Sequence, residues 1–231
     1  MIRLNPLRAC QVQVITFDCY GTLIDWESGI WTAFREAAAA DGVSLDRERV
    51  IEAYHAIEPM VEEGRYRTYR EVLREAARRV AAESGWSIDR DQAAFLAKSL
   101  PDWPPFPDTN AALARLAEGR RLGVLSNVDE DLLEATARHL DVHFDFWVTA
   151  DRVESYKPDL AHFEAARPFV GNREGWLHVA QSLFHDVAPA RCIGVPVAWI
   201  NRKGERPGAD APEPDREFAD LAELADWLEA G

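Results

Sequence analysis

Polar and charged side chains follow several short apolar segments of this 231-residue chain. They supply one carboxylate, a lysine, small hydrogen-bond donors and a second carboxylate further along. An aspartate beside a lysine can act as a nucleophile, because the ammonium group keeps the carboxylate ionised. The second carboxylate can then position or activate the water that hydrolyses the resulting ester. The residues concerned are Asp18, Tyr20, Thr22, Ser126, Asn127, Lys157, Gln181, His185 and Asp186.

The segments around these residues predict an α/β fold. Short strands are predicted over 11–17, 122–125, 144–149, 176–180 and 195–200. Helices are predicted over 110–118, 131–140, 160–166 and 220–228. Strands that alternate with helices indicate a mainly parallel sheet with covered faces, as in a Rossmann-like core. Ligands of such sheets bind beyond the carboxyl ends of the strands, where the polar residues are expected to meet.

An all-helical block interrupts this core after its first strand. Its helices are predicted up to Gly42 and over 46–63, 68–85 and 89–99. A T-x-x-E capping box opens the third of them at Thr68. Four prolines within 101–107 then mark a linker, since proline ends helices. We therefore expect residues 1–25 and 106–231 to form an α/β core domain, and residues 26–105 to form a helical insert.

The charge balance limits the classes of partner. Lys and Arg number 26 against 40 Asp and Glu, a net charge of −14. Nucleic acids and anionic membranes are recognised by basic surfaces, so neither is expected as a partner. The acidity is uneven, because residues 205–231 carry nine acidic side chains against two Arg, whereas 64–79 carry six Arg against two Glu. A small carboxylate substrate therefore stays compatible with the chain, and Arg65 and Arg67 are the insert residues expected to meet it.

The remaining global features indicate an ordinary cytoplasmic protein. Cys10, Cys19 and Cys192 have no C-x-x-C spacing, so neither a disulfide framework nor a structural zinc site is expected. Residues 1–14 lack the continuous apolar stretch of a secretory signal, and no apolar run approaches the ~20 residues of a membrane helix. Residues 202–216 are rich in proline, glycine and charge, and predict a surface loop.

Four segments of the chain resemble the ordered motifs of the haloacid dehalogenase superfamily. They are F-D-C-Y-G-T-L from Phe17 to Leu23, Ser126-Asn127, Lys157-Pro158 and the acid at Asp186. The helical insert looks like the cap domain of that superfamily. The resemblance covers nearly the whole chain, from its first strand to its last. It implies a hydrolase that uses Asp18 as its nucleophile.

Two motif positions separate the branches of the superfamily. Phosphatases carry D-x-D in the first motif, and an Asp that binds magnesium five residues before the second acid. This chain carries Tyr20 and Gln181 at those positions. The D-x-Y-G-T-L motif resembles the L-2-haloacid dehalogenase branch, and glutamine is a poorer ligand than aspartate for Mg²⁺. The resemblance therefore implies dehalogenation of short 2-haloalkanoic acids to 2-hydroxy acids and halide, without a metal or other cofactor.

The resemblance also implies individual catalytic roles. Asp18 attacks the halogen-bearing C2, and Lys157 keeps that carboxylate ionised and oriented. Asp186 positions or activates the water that opens the ester. Thr22 hydrogen-bonds within the nucleophile loop, and Ser126 contacts the substrate carboxylate. The branch also suggests a homodimer.

The resemblance implies that the remaining residues line the substrate pocket. Tyr20 and Asn127 are implied to line the space for substrate and halide. Gln181 and His185 stand where the branch carries a Ser and a Trp, and are expected to contact substrate. His178, on the preceding strand, is expected to be a structural residue. The arginine that cradles the halide in that branch has no clear counterpart in the insert.

Two other functions stay open from the sequence. One is a Mg²⁺-dependent phosphatase of the same superfamily that acts on a small phosphate ester. The other is a binding module that keeps the fold and hydrolyses nothing. A metal requirement for turnover distinguishes the first, and ligand binding without any turnover distinguishes the second.

Overall fold

The computed structural model describes residues 7–171 and 173–231. The first six residues, at the start of the predicted core domain, and Asn172 lie outside the described residues. Six strands form one sheet in the order β3-β2-β1-β4-β5-β6, and every neighbouring pair is parallel. The strands are β1 Val14–Phe17, β2 Arg121–Ser126, β3 Phe146–Thr149, β4 Trp176–Ala180, β5 Val197–Ile200 and β6 Arg216–Phe218. The predicted α/β fold with a mainly parallel sheet is confirmed.

The central strands are apolar because both faces of the sheet are covered. All residues of β1, β4 and β5 are buried. This pattern is typical of a parallel sheet between two helical layers. The edge strand β6 lies at the end of the segment predicted as a surface loop. Its Arg216 and Glu217 are exposed, so it lacks the apolar run that identified the other strands.

Helices cover the two faces of the sheet and fill the insert. Those of the insert are α1 Trp26–Ala40, α2 Arg47–Glu62, α3 Tyr69–Glu83 and α4 Phe95–Ser99. Those of the core are α5 Thr109–Leu116, α6 Glu130–Ala137, α7 Ala150–Val153, α8 Ala161–Val170, α9 Ala188–Cys192 and α10 Leu221–Glu229. None of the described helices is long and apolar enough to cross a membrane.

Side-chain caps and apolar stripes define the helices of the insert. Asp25 and Asp46 cap α1 and α2, and the predicted capping box is present at Thr68 and Glu71. These caps satisfy backbone N–H groups that have no partner within the helix. Buried apolar residues recur at helical spacing, for example from Val72 onwards in α3, where α3 packs against α2. The insert therefore has a hydrophobic core that is continuous with that of the sheet.

The chain leaves and re-enters the core at one place. The N–H of Asp25 donates to the carbonyl of Pro104 at 2.8 Å, and the N–H of Phe106 donates to the carbonyl of Leu23 at 3.0 Å. These contacts support the predicted boundaries at residues 25/26 and 105/106, which stay a prediction. On the far side of the insert, Asp129 of the core accepts hydrogen bonds from the first backbone N–H groups of α3, at 2.8 and 3.0 Å.

Candidate active site

The carboxyl ends of four neighbouring strands bring the predicted site residues together. Asp18 directly follows β1, Ser126 ends β2, and Gln181 directly follows β4. Lys157 comes from the segment between α7 and α8, beyond β3. A cavity of about 390 Å³ opens at this edge of the sheet. Eight of the nine predicted residues line it, namely Asp18, Tyr20, Ser126, Asn127, Lys157, Gln181, His185 and Asp186.

The ninth residue, Thr22, hydrogen-bonds to the nucleophile Asp18. Its hydroxyl donates to Oδ2 of Asp18 at 2.8 Å and accepts the backbone N–H of Gln181 at 2.9 Å. The hydroxyl proton must therefore point at Asp18, since its oxygen already accepts the other hydrogen bond. The turn that follows β1 thus fixes the orientation of the Asp18 carboxylate.

The ammonium group of Lys157 lies between two carboxylates. Its Nζ donates to Oδ1 of Asp18 at 2.9 Å, to Oδ1 of Asp186 at 2.7 Å and to the carbonyl of Leu125 at 2.8 Å. All three ammonium donors are thereby used. Burial alone would lower the pKa of Lys157, but Asp18 and Asp186 outweigh it and raise the pKa above its usual value. Lys157 is therefore a fixed cation.

The electrostatics at Asp18 are those of a buried nucleophile. Burial raises the pKa of Asp18 above its usual value, and the nearby Asp186 carboxylate adds to this effect. The charge of Lys157 and the hydrogen bonds from Lys157 and Thr22 act in the opposite direction. A poorly hydrated carboxylate oriented by two donors is suited to nucleophilic attack.

Asn127 positions Lys157 through the backbone. Its Oδ1 accepts the N–H of Lys157 at 2.7 Å, and its Nδ2 donates to the carbonyl of the same residue at 3.1 Å. Asn127 borders the cavity, as expected, but both ends of its amide are occupied by these bonds. The structure therefore favours a positioning role for Asn127.

Asp186 lies in a single π-helical turn, Leu183–Val187, that follows β4. Its Oδ1 accepts from Lys157 and lies 2.9 Å from Nε2 of His178, while its buried Oδ2 has no hydrogen-bond partner among the described residues. Burial would raise the pKa of Asp186, but Lys157 and His178 outweigh it and hold the pKa well below its usual range. Asp186 is thus a weak base, and its Oδ2 is suited to orient a water.

His178, expected to be a structural residue, is fully buried and contacts Asp186 through its Nε2. Its Nδ1 lies 2.9 Å from the hydroxyl of Thr16, which also accepts the indole N–H of Trp176 at 2.7 Å. Thr16 can therefore donate its proton to Nδ1, which places the imidazole proton on Nε2, facing Asp186. Little in the sequence indicates this contact, because it shows only a histidine on a predicted strand, eight residues before the second acid.

The insert forms the opposite wall of the cavity, and it does so without an arginine. Arg65 and Arg67, expected to meet a carboxylate, are not among the residues that line the cavity. They lie in the segment between α2 and α3, where the carbonyl of Arg67 accepts the hydroxyl of Tyr156 at 2.9 Å. The wall is formed instead by α2, through Glu58 and Glu62. The expectation for the two arginines is therefore wrong.

The two glutamates of α2 were missed by sequence reasoning. Together with Tyr54 they recur at intervals of four residues, which places all three on one face of the helix. That spacing is the feature of the sequence from which their common position on the helix could have been predicted. The partial burial of Glu58 and Glu62 comes from how the insert helices pack together, which helical periodicity alone does not specify for acidic residues.

The described residues hold no cluster of three or more His, Cys, Asp or Glu side chains with the geometry to bind a metal ion. Asp18 and Asp186 share the Lys157 ammonium between their Oδ1 atoms. The side chain at the family's metal-ligand position is Gln181. A neutral amide oxygen thus stands where a magnesium site of this family has a carboxylate, which is the stronger ligand for Mg²⁺.

Comparisons with known proteins agree with this geometry. The model of the haloacid dehalogenase-like hydrolases matches residues 12–195. The (S)-2-haloacid dehalogenase H-109 of Pseudomonas putida is 30% identical over 223 residues, which cover 94% of this chain and 98% of the relative. The haloacetate dehalogenase H-2 of a Moraxella strain is 28% identical over 200 residues, covering 84% and 88%.

Solved structures give the same result. A defluorinating L-2-haloacid dehalogenase superposes with a TM-score of 0.82 at 25% identity, covering 97% of this chain and 100% of the other. The L-2-haloacid dehalogenase of Xanthobacter autotrophicus shares the fold, with a TM-score of 0.81 at 23% identity and coverage of 94% and 98%. With the family model matching most of the chain, the protein belongs to the haloacid dehalogenase-like hydrolases.

Proposed function

We propose that this hydrolase cleaves the carbon–halogen bond of short 2-haloalkanoic acids through an ester on Asp18. The observation that carries the proposal is the placement of the Asp18 carboxylate, which borders the cavity with Lys157 on one oxygen and Thr22 on the other. The relatives named as (S)-2-haloacid dehalogenases support the same reaction. Tyr20, rather than a second aspartate, follows the nucleophile by two positions.

The first step is a displacement at C2 of the substrate. A carboxylate oxygen of Asp18 forms a bond to C2 as the carbon–halogen bond breaks, and the halide leaves with the bonding electron pair. Lys157 orients the attacking carboxylate through Oδ1. Ser126 has a buried hydroxyl with no hydrogen-bond partner among the described residues, and it borders the cavity. That hydroxyl is suited to bind the substrate carboxylate.

The second step is hydrolysis of the ester. Water attacks the carbonyl carbon of the Asp18 ester, and the bond to the substrate oxygen breaks. One proton of the water passes to the departing alkoxide, and the other is released to solvent, which leaves Asp18 as a carboxylate. The 2-hydroxy acid is released and Asp18 is restored. Asp186 orients the water through Oδ2, because its Oδ1 is held by Lys157 and His178.

The proposal also covers the cofactor requirement, the cellular compartment and the oligomeric state. We expect turnover without a metal or other cofactor, since Lys157 supplies the positive charge between the two carboxylates. The free thiols of Cys10, Cys19 and Cys192 are compatible with a reducing cytoplasm. A homodimer follows from the resemblance to the L-2-haloacid dehalogenases.

Halide release tests the proposal. (S)- and (R)-2-chloropropionate are assayed separately, with and without EDTA, for the wild-type protein and Asp18→Asn. We expect chloride release that survives EDTA and is abolished by Asp18→Asn. Turnover of p-nitrophenyl phosphate in the presence of Mg²⁺, with no halide released from either enantiomer, would instead support a phosphatase.

A further inference from the structure

The wall that α2 contributes to the cavity carries two acidic side chains in contact. Glu58 and Glu62 stand one helical turn apart on α2, and both line the cavity. The hydroxyl of Tyr69 donates to Oε1 of Glu58 at 3.1 Å. Both side chains are half-buried at the cavity surface. We call Glu58 and Glu62 the insert carboxyl pair.

Aromatic rings line the same cavity as the insert carboxyl pair. Trp26, Tyr54, Tyr69 and Trp103 line the same cavity, and the rings of Trp26 and Tyr54 lie 5.6 Å apart. Aromatic faces attract cations electrostatically, and the effect grows when the cation is removed from water. Carboxylates and aromatic rings together are the chemistry that recognises an amine cation.

Among the described residues, no lysine or arginine that lines the cavity forms an ion pair with Glu58 or Glu62. Lys157 is the only lysine or arginine among the described residues that line the cavity, and its three donors are used by Asp18, Asp186 and the carbonyl of Leu125. Of the two histidines that line it, His55 is paired with Glu27 at 3.0 Å, and His185 contacts Ser182 at 3.3 Å. A purely anionic substrate would therefore meet a predominantly acidic wall.

A second, independent feature points to a ligand that spans the cavity. Ser126 is 1% exposed, and its hydroxyl lies at the sheet edge with no hydrogen-bond partner among the described residues. It can bind one end of a small molecule beside Asp18, while the insert carboxyl pair meets the other end. A ligand that fits this cavity would carry a carboxylate at the end that binds Ser126 and a cationic group at the end that binds the insert carboxyl pair.

We propose that the insert carboxyl pair binds a protonated amine, so that the preferred substrate is a short 2-haloacid with an ammonium group at the far end of its carbon chain. This inference rests on the proposed dehalogenation for the reaction, and on the cavity wall alone for the recognition of the amine. Glu58 and Glu62 are then the residues that determine substrate specificity.

The acidity of the pair agrees with this role. Burial raises the pKa of Glu58 to about 7, against the opposing effects of Tyr69 and His55. Burial and the charge of Glu58 raise the pKa of Glu62 to about 9, against the opposing charge of Lys157. A bound ammonium group would stabilise the ionised pair and lower both pKa values, so its binding releases a proton near neutral pH.

Binding of halogen-free probes tests the inference. Titration calorimetry compares 4-aminobutyrate with pentanoate, which has the same chain length but no charge at its far end, and with 4-hydroxybutyrate. The proteins are the wild type, Glu58→Gln, Glu62→Gln, the double variant, and Glu52→Gln as the matched control. Glu52 is exposed on the same helix and lies outside the cavity.

We expect the wild type and Glu52→Gln to bind 4-aminobutyrate roughly tenfold more tightly than pentanoate or 4-hydroxybutyrate. The double variant should lose that preference and bind pentanoate more tightly. The inference is overturned if pentanoate binds as well as the amine to the wild type, if the double variant keeps the preference, or if no probe binds. The single variants give the same test should the double variant not fold.

A separate assay distinguishes failure of the inference from failure of the proposed function. Halide release is measured from 4-amino-2-chlorobutyrate and from 2-chloropentanoate. Amine preference in calorimetry with no halide from either compound contradicts dehalogenation and leaves the binding inference standing. Faster halide release from 2-chloropentanoate than from the amine contradicts the inference and supports dehalogenation.

Discussion

The ammonium nitrogen of Lys157 lies 2.9 Å from Oδ1 of Asp18, and both side chains are almost fully buried. This pair accounts for the ionisation and the orientation of the nucleophile. It also constrains the fold, because Asp18 follows β1 whereas Lys157 comes from the segment beyond β3. Catalysis and stability are therefore linked at one contact.

Replacing the lysine tests that link. Lys157→Met leaves Asp18 and Asp186 buried without their cation, so we expect halide release to fall on the order of 10³-fold. The free energy of unfolding should fall by about 3–5 kcal/mol, because a buried charge loses its partner. Urea unfolding and chloride release measure the two effects, with Lys98→Met, an exposed site on α4, as the control. Wild-type turnover in Lys157→Met would refute the role.

The pH dependence of kcat/KM reports the ionisation of Asp18. Attack requires the carboxylate, so activity is lost as the pH falls through the pKa of Asp18, which burial raises above its usual value. Thr22→Val removes a hydrogen bond that lowers this pKa. We expect the acid limb to move up by about one pH unit. Thr32→Val, at an exposed site of α1, should leave it in place. A shift of the acid limb to lower pH in Thr22→Val would contradict the proposed effect of this hydrogen bond on Asp18.

Asp186 acts mainly in the second step, so its removal should separate the two steps. In Asp186→Asn the displacement continues while hydrolysis of the ester slows. We expect a burst of about one chloride per protein, followed by a slow steady rate, and mass spectrometry should find the carboxyalkyl group of the substrate attached to the protein. Asp210→Asn, in the exposed 202–216 region, is the control. If Asp186→Asn lowers the burst amplitude and the steady rate equally, Asp186 does not act mainly in the second step.

Asp129 connects the core to the insert and should control substrate affinity. Its carboxylate accepts the backbone N–H groups of Tyr69 and Arg70, at the positive end of α3. Asp129→Ala should lower the free energy of unfolding by about 1–2 kcal/mol and raise KM roughly fivefold or more, since Tyr69 lines the cavity.

The matched control for Asp129 is Asp131→Ala. Asp131 is an exposed partner of Arg70, and exposed ion pairs contribute about 0–1 kcal/mol. If Asp131→Ala raises KM as much as Asp129→Ala does, the effect comes from the surface ion pair and not from the capped helix.

The local parts of this fold were predictable because local sequence specifies them. The strand over 176–180 has the predicted bounds, since its residues are buried on both faces of the sheet. The capping box at Thr68 is likewise as predicted. The edge strand β6 was missed because its exposed, charged residues resemble those of a loop.

Long-range packing accounts for what the sequence did not reveal of the site. The nucleophile motif identified Asp18, but the contact between His178 and Asp186 depends on the π-helical turn after β4. Glu58 and Glu62 are acidic residues, which are mostly exposed in proteins. Their position at the cavity follows from how α2 packs against α1 and α3.

The ester on Asp18 is the central claim, and a single turnover in ¹⁸O-labelled water tests it most directly. The wild-type protein is used in excess over (S)-2-chloropropionate, and the peptide that contains Asp18 is analysed by mass spectrometry with the released hydroxy acid. The account predicts one ¹⁸O atom in the Asp18 carboxylate and an unlabelled 2-hydroxy acid. Label in the hydroxy acid with none in Asp18 would show direct attack by water and contradict it.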